Sequence, residues 1–287
     1  MWHELCERIS AETGRAVSYR DHRSVTGGCI HQAKLLETDH ENFFVKINNA
    51  DRLPLFEAEA KGLHALQTAN RIRCPKVILN DVVGNQAVLV LEYIIMQSAP
   101  PGGMEKLGKQ LADLHQRSGE SFGWLKDNFI GSTLQPNTFN QEWIPFFRDK
   151  RLLYQIQLAE RNGLRVDGKQ QLLDKLEFYF DDYAPFPSLL HGDLWGGNIG
   201  FDDQGEPVIY DPACYYGDRE ADLAFTEMFG GFSSAFYTSY NEEFPIHAGY
   251  KIRKNLYNLY HELNHYNLFG GGYGSQALIT INYLLRE

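Results

Sequence analysis

Apolar residues change their spacing along this chain, and the change divides it in two. Through the first ninety-odd residues the apolar runs are short and separated by turn residues, which predicts strands. Residues 20–37 carry a Gly27-Gly28 turn between two β-type runs and read as a hairpin. Residues 42–47 (NFFVKI) are aromatic and β-branched, a strand with Lys46 near its end. Residues 55–69 are rich in Ala, Glu and Leu, and Phe56, Leu63 and Leu66 fall near one face of the helix they predict. Residues 87–95 (AVLVLEYII) read as a buried strand, and residues 97–103 (QSAPPGG) are the strongest linker signal in the chain.

Beyond the linker the period becomes helical. Leu107, Leu111 and Leu114 recur at i, i+4 and i+7 on a helix ending near His115. Residues 142–158 and 169–183 are further predicted helices, and the C-terminal third is helical and rich in Tyr and Phe. Residues 189–211 break the pattern with short apolar runs and glycine turns, as a loop and hairpin do. The expectation is an α+β chain of two lobes: a strand-rich lobe over residues 1–95 and a mainly helical lobe over residues 96–287.

Composition changes this picture little. The chain has 287 residues, 43% hydrophobic and 22% charged, ordinary values for a globular protein with a sizeable core. The start, MWHELCERIS, lacks a basic stretch followed by an apolar run, and no apolar run is long enough to span a bilayer. Cys6, Cys29, Cys74 and Cys214 are scattered and form no CxxC pair, so reduced thiols and a cytoplasmic location are expected. A net charge of −10 without a basic patch argues against nucleic acid as a partner and suits a cationic substrate.

The informative segment is His191-Gly-Asp-Leu-Trp-Gly-Gly-Asn198, followed thirteen residues later by Asp211. Asp193 and Asn198, five apart on one loop, can face one cavity, with the carboxylate taking a hydroxyl proton and the amide oxygen ligating a metal. Asp211, at the end of a short strand, can complete a magnesium site, since magnesium takes few, hard oxygen ligands from protein. The remaining parts for phosphoryl transfer precede these in order. Gly27-Gly28 can bring backbone amides to phosphate, Lys46 can hold phosphates, Glu59 can orient Lys46, and Glu92, Tyr93 and Ile94 can offer backbone hydrogen bonds to adenine.

The segment HGDLWGGN…YDPACYYGDREADLA resembles the signature of the fructosamine kinase (ketosamine-3-kinase) family, within the aminoglycoside phosphotransferase and choline kinase group of the protein kinase fold. TGGCIHQA, FFVK, FEAEAKGL, FGWLKDNFIGSTLQPN with Trp143 and Arg151-Leu152, and LYHELNHYNLFGGGY extend the likeness over nearly the whole chain. Gly192 stands where protein kinases carry arginine, and Pro212-Ala213 where they carry Phe-Gly, which argues against regulation by activation-loop phosphorylation.

The resemblance implies Asp193 as base, Asn198 and Asp211 as magnesium ligands, and Lys46, set by Glu59, on the α and β phosphates of ATP. It implies as acceptor the third hydroxyl of a ketosamine, either a small molecule or a glycated protein lysine, in a deglycation role, by a monomer or weak dimer. Trp195, Asp218 and His265 are substrate-side candidates, while Asp222 is expected to pin the catalytic loop by accepting backbone hydrogen bonds. Kinases for another amino-bearing metabolite, such as an aminoglycoside or choline, and a nucleotide-binding pseudokinase are the alternatives.

Other motifs carry less. His261-Glu-Leu-Asn-His265 matches H-E-x-x-H, but the extended zinc form needs glycine and histidine where Leu268 and Gly271 stand. Residues 103–110 and 163–170 reach G-x-x-x-x-G-K and then place glutamine where Ser or Thr should bind magnesium. Cys29, beside the Gly27-Gly28 turn, is either apolar filler or an exposed thiol whose oxidation would block nucleotide binding.

Overall fold

A computed structural model describes residues 1–25 and 31–287. The expectations for Gly27, Gly28 and Cys29 lie outside the described residues. The chain forms two compact units, one of Met1–Ala99 with Gly200–Asp211 and one of Pro100–Ile199 with Pro212–Glu287.

The first unit opens with α1 (Trp2–Thr13), where the sequence suggested mainly strands. Its stripe of Leu5, Cys6 and Ile9 is buried, and Gly14 closes it in the left-handed conformation. A five-stranded antiparallel sheet follows, with β1 (Tyr19–Ser24), β2 (Gln32–Thr38), β3 (Asn42–Asn49), β4 (Val77–Val83) and β5 (Gln86–Glu92) in the order β1-β2-β3-β5-β4. Period-2 alternation sends Phe43, Val45 and Ile47 of β3 into one cluster with Leu5, Ile9, Val88 and Val90. Lys46 therefore lies on the opposite face, paired across the sheet with Leu89. There α2 (Leu53–Ala69) brings its buried Phe56 and Leu63, its first turn prepared by Pro54.

The expected boundary after Ile95 falls after Ala99, and residues 200–211 group with the sheet unit rather than with the helices. The cause is local bonding. The Ile209 amide donates to the Arg73 carbonyl (3.0 Å), the Gln97 amide donates to the Phe201 carbonyl (2.7 Å), and the Arg73 guanidinium pairs with both Glu92 and Asp202.

The second unit is built on α3 (Gly103–His115), the small hairpin β6 (Asn128–Ile130) and β7 (Thr133–Gln135), α4 (Trp143–Phe147), α5 (Leu153–Arg161) and α6 (Lys169–Asp174). A π-helical turn over Arg148–Leu152 interrupts the helix expected over residues 142–158. The helix expected over residues 169–183 stops at Asp174 and continues as a 3-10 turn, Leu176–Phe180, where Leu176, Tyr179 and Phe180 turn inward and the Tyr179 hydroxyl donates to the Leu284 carbonyl (2.6 Å). Then come β8 (Ser188–Leu190), the strands β9 (Ile199–Phe201) and β10 (Pro207–Ile209) of the segment that groups with the first unit, and, back in the second, β11 (Tyr215–Gly217), α7 (Glu220–Thr226), α8 (Ser234–Glu243), α9 (Tyr250–Phe269) and α10 (Gly272–Arg286). The strands β9 and β10 pair with each other, and β8 pairs antiparallel with β11. One aromatic-rich core runs from Trp143, Phe146 and Phe147 to Tyr257, Leu263 and Leu284. Among the described residues no helix is long and apolar enough to cross a membrane.

Candidate active site

In the first unit three charged side chains meet. The Lys46 ammonium donates to Glu59 Oε1 at 2.8 Å and to Asp211 Oδ1 at 2.6 Å. Burial opposes the charge on Lys46, but Asp211 and then Glu59 outweigh it and raise its pKa. Burial pushes the Glu59 carboxyl up, against the pull of Lys46, and the second carboxylate at Asp211 adds to that rise. Two carboxyl groups thus share one ammonium. Asp211 adopts a left-handed backbone (φ 59°), one of two described non-glycine residues to do so. Its carboxylate is the exposed member of the three, at 35% against 7% for Lys46 and 11% for Glu59.

In the second unit the loop from His191 to Asn198 is held by backbone bonds. Asp222 on α7 accepts the His191 amide at 2.7 Å and the Gly192 amide at 2.8 Å, as the sequence predicted. Behind it, His115 of α3 lies between Asp222 (3.2 Å) and the Tyr240 hydroxyl (2.8 Å), with no exposure. Gly192 has φ 81°, and an added Cβ would lie 2.2 Å from the Ala213 carbonyl oxygen. No other residue type meets both conditions at a position where protein kinases carry arginine. Asn198 donates its amide to the Asp193 carbonyl (2.8 Å) and to Asp193 Oδ2 (3.0 Å), which fixes the carboxamide. The Asn198 amide oxygen is left with no hydrogen bond among the described residues, a hard donor of the kind magnesium prefers.

The other candidates divide. Trp195 is half-buried, stacks edge-on with Phe229 (5.4 Å), and lies over Gly197, where a Cβ would come within 2.4 Å of its ring. His265 donates from Nδ1 to the His261 carbonyl (2.8 Å) and packs beside Phe229 (5.2 Å) and Tyr273 (5.0 Å). Trp195 and His265 thus share one aromatic neighbour. Asp218 departs from expectation. It is wholly buried, with Tyr183 donating to Oδ1 (2.8 Å) and Tyr257 to Oδ2, so no surface remains for a substrate.

Glu92 is also modified by its surroundings. Its amide donates to the Lys76 carbonyl (2.8 Å), and its carboxylate accepts from the Arg73 guanidinium (2.6 Å) and the Lys76 amide (3.2 Å), so the Glu92 amide is already spent within the first unit. The H-E-x-x-H histidines go separate ways: His261 stacks face to face on Phe225 at 3.6 Å. Among the described residues no cluster of His, Cys, Asp and Glu could hold a metal in the zinc-protease manner.

Sequence reasoning missed His115 and Arg73, which act through contacts 107 and 129 residues away in sequence. Neither stands in a motif, although the helical stripe that ends at His115 was visible.

The family model described as fructosamine kinase matches residues 1–287. A probable ketoamine kinase of Synechocystis is 44% identical over 99% of this chain and 97% of its own length. A chloroplastic protein-ribulosamine 3-kinase of Arabidopsis thaliana is 42% identical over 95% of this chain and 85% of its own. Among solved structures, a protein of Haemophilus somnus provisionally named fructosamine-3-kinase superimposes with TM-score 0.93 at 30% identity, over 99% of this chain and 98% of that one.

Proposed function

Because the chain belongs to the fructosamine kinase family and carries its protein-kinase-like α+β fold, we propose that it transfers the γ-phosphoryl group of ATP to the third hydroxyl of a ketosamine. The acceptor is a ribulosamine or fructosamine adduct of an amine or a protein lysine, and the phosphate labilises the adduct in a cytoplasmic deglycation role.

The observation that carries this reading is the Asp193–Asn198 pair. The amide of Asn198 orients the Asp193 carboxylate by donating to Oδ2 at 3.0 Å, on a loop pinned by Asp222. Asp193 accepts the proton of the acceptor hydroxyl as its oxygen bonds to the γ phosphorus, and the bond to the β–γ bridging oxygen breaks to release ADP. Lys46, aligned by Glu59, holds the α and β phosphates. Asn198 through its amide oxygen and Asp211 through its carboxylate are the residues suited to magnesium, which when bound neutralises charge on the transferring phosphates. Tyr93 and Ile94 offer backbone groups to adenine. Trp195 and His265 wall the sugar, while Asp218 serves the packing of α7 against α9.

The test is magnesium- and ATP-dependent phosphate transfer to ribulose-lysine and fructose-lysine, beside Asp193→Asn. Transfer that falls by about 100-fold or more in the variant is expected, within the usual weight of a catalytic base. Transfer to neither, with ATP still bound, overturns the substrate and points to other amino alcohols.

A further inference from the structure

The hairpin of β6 and β7 ends in a set of buried carboxamides with every orientation determined. Asn128 and Gln135 stand directly opposite each other in the register and so project to the same face. Asn128 Nδ2 donates to the Cys214 carbonyl (2.8 Å), and its Oδ1 accepts from Gln135 (2.8 Å) and from Asn137 (2.7 Å). Gln135 Nε2 also donates to the Ala213 carbonyl (3.1 Å), while its Oε1 accepts the Tyr260 hydroxyl (2.7 Å). Asn137 Oδ1 accepts from Arg151 Nη2 (2.8 Å).

Arg151 is an unusual end to such a chain. It has no exposure, and among the described residues its hydrogen bonds run to the Pro136 and Lys150 carbonyls and the Asn137 carboxamide rather than to a carboxylate. Its charge is held by the Pro136 carbonyl (2.7 Å) and by the ring of Tyr215, 4.0 Å away. It stands on the π-helical turn Arg148–Leu152, a distortion of the kind found where a side chain must be re-aimed. Arg151 spends both terminal nitrogens on carbonyl and carboxamide oxygens while its Nε has no hydrogen-bond partner among the described residues; Nη2 thereby holds Asn137, Asn137 holds Asn128, and Tyr260 holds Gln135.

The two carbonyls at the far end belong to Ala213 and Cys214, which follow Asp211 in the chain. On its other side Ala213 is joined to the catalytic loop, since its amide donates to the His191 carbonyl (2.9 Å) and its carbonyl lies against Gly192. We propose that Asn128 and Gln135, oriented by Asn137, Arg151 and Tyr260, are positioning residues that set the backbone after Asp211 and, through Ala213, the catalytic loop. The inference rests on the proposed roles of Asp193 and Asp211. It gives the hairpin a catalytic purpose beyond filling the second unit.

Gln135→Glu tests this in the full-length enzyme, because the carboxylate still accepts from Tyr260 but can donate to neither Ala213 nor Asn128. The expected result is a kcat lower by about 10-fold or more, with KM for ATP and ketosamine within about twofold, as for misplacement of reacting groups. Hydrogen exchange should rise in peptides covering residues 188–217 and stay unchanged over α10. Ile281→Ala, a cavity in α10 remote from the network, is the control: it should lower stability and leave kcat of the folded enzyme alone. Tyr260→Phe, which removes only the hydroxyl that orients Gln135, should reproduce the local exchange at smaller amplitude and stands in if Gln135→Glu does not fold. Unchanged exchange over residues 188–217, or exchange raised throughout the second unit as in Ile281→Ala, overturns the proposal. If the wild type phosphorylates no ketosamine, the proposed substrate fails while the exchange result still decides the role of the hairpin.

Discussion

The two units organise their acidic groups by opposite means. In the first, Lys46, Glu59 and Asp211 hold one another through charge, and two carboxyl groups share one ammonium. In the second, Asp222 is spent on two backbone amides and a buried imidazole, and Asp193 is oriented by a neutral amide. Charge pairs of the first kind are long-ranged and respond to any cation or phosphate brought near. Backbone bonds of the second kind are short-ranged and fix geometry before a ligand arrives. Under the proposed roles, the first arrangement is an electrostatic seat for phosphates and the second a rigid seat for the base.

The comparison breaks most visibly at Lys46. Lys46→Met should lower phosphoryl transfer by about 100-fold or more and destabilise the first unit by about 3 kcal/mol, because it strands the buried carboxyl of Glu59. Adding Glu59→Met should recover much of the stability, read by urea unfolding, and none of the activity. If the double variant is as unstable as the single one, the ion pair is not the reason for the loss.

Asp222→Asn is the corresponding cut in the second unit. It keeps one acceptor oxygen and forces an N–H toward a donor, so a loss of about 2 kcal/mol and a kcat about 10-fold lower are expected, with ATP affinity little changed. Equal losses in kcat and ATP affinity would mean that the loop and the nucleotide seat are not independent.

The smallest expected effect is a pH dependence confined to the first unit. Burial, and then the charge of Lys46, lowers the His31 pKa from its ordinary value to about 4. Its ring packs on Phe56 at 4.9 Å and its Nδ1 bonds the Asn48 amide at 2.8 Å. The unfolded chain therefore takes up this proton near pH 6.5 and the folded chain only near pH 4, so stability is full above about pH 6.5 and falls as pH drops toward 4. Discounted for partial exposure, the loss is about 1 kcal/mol, and His31→Gln should flatten that part of the stability–pH curve.

Many of the contacts among the proposed site residues were legible because they depend on short spacings. Asp193 and Asn198 share a loop, Lys46 sits on a strand before the helix of Glu59, and these contacts need only local geometry plus one antiparallel pairing. The stripe of α1 was equally present in Leu5, Cys6 and Ile9, although the strand-rich neighbourhood masked it. Asp218 misled because a carboxylate beside a motif looks the same whether it faces a substrate or two tyrosines; Tyr257 lies 39 residues away.

By itself, the sequence determined the α+β class, the change from strands to helices near residue 100 and the family, since apolar period and local motif are properties of neighbouring residues. Only the tertiary structure decided that residues 200–211 group with the sheet, that Glu92 spends its amide on Lys76, and that Arg151 is buried with no counter-ion among the described residues. Each of these depends on which polar groups find partners across more than ten residues of chain. A hydrogen bond of that kind leaves no periodic trace in the sequence, because its two ends are chosen by packing.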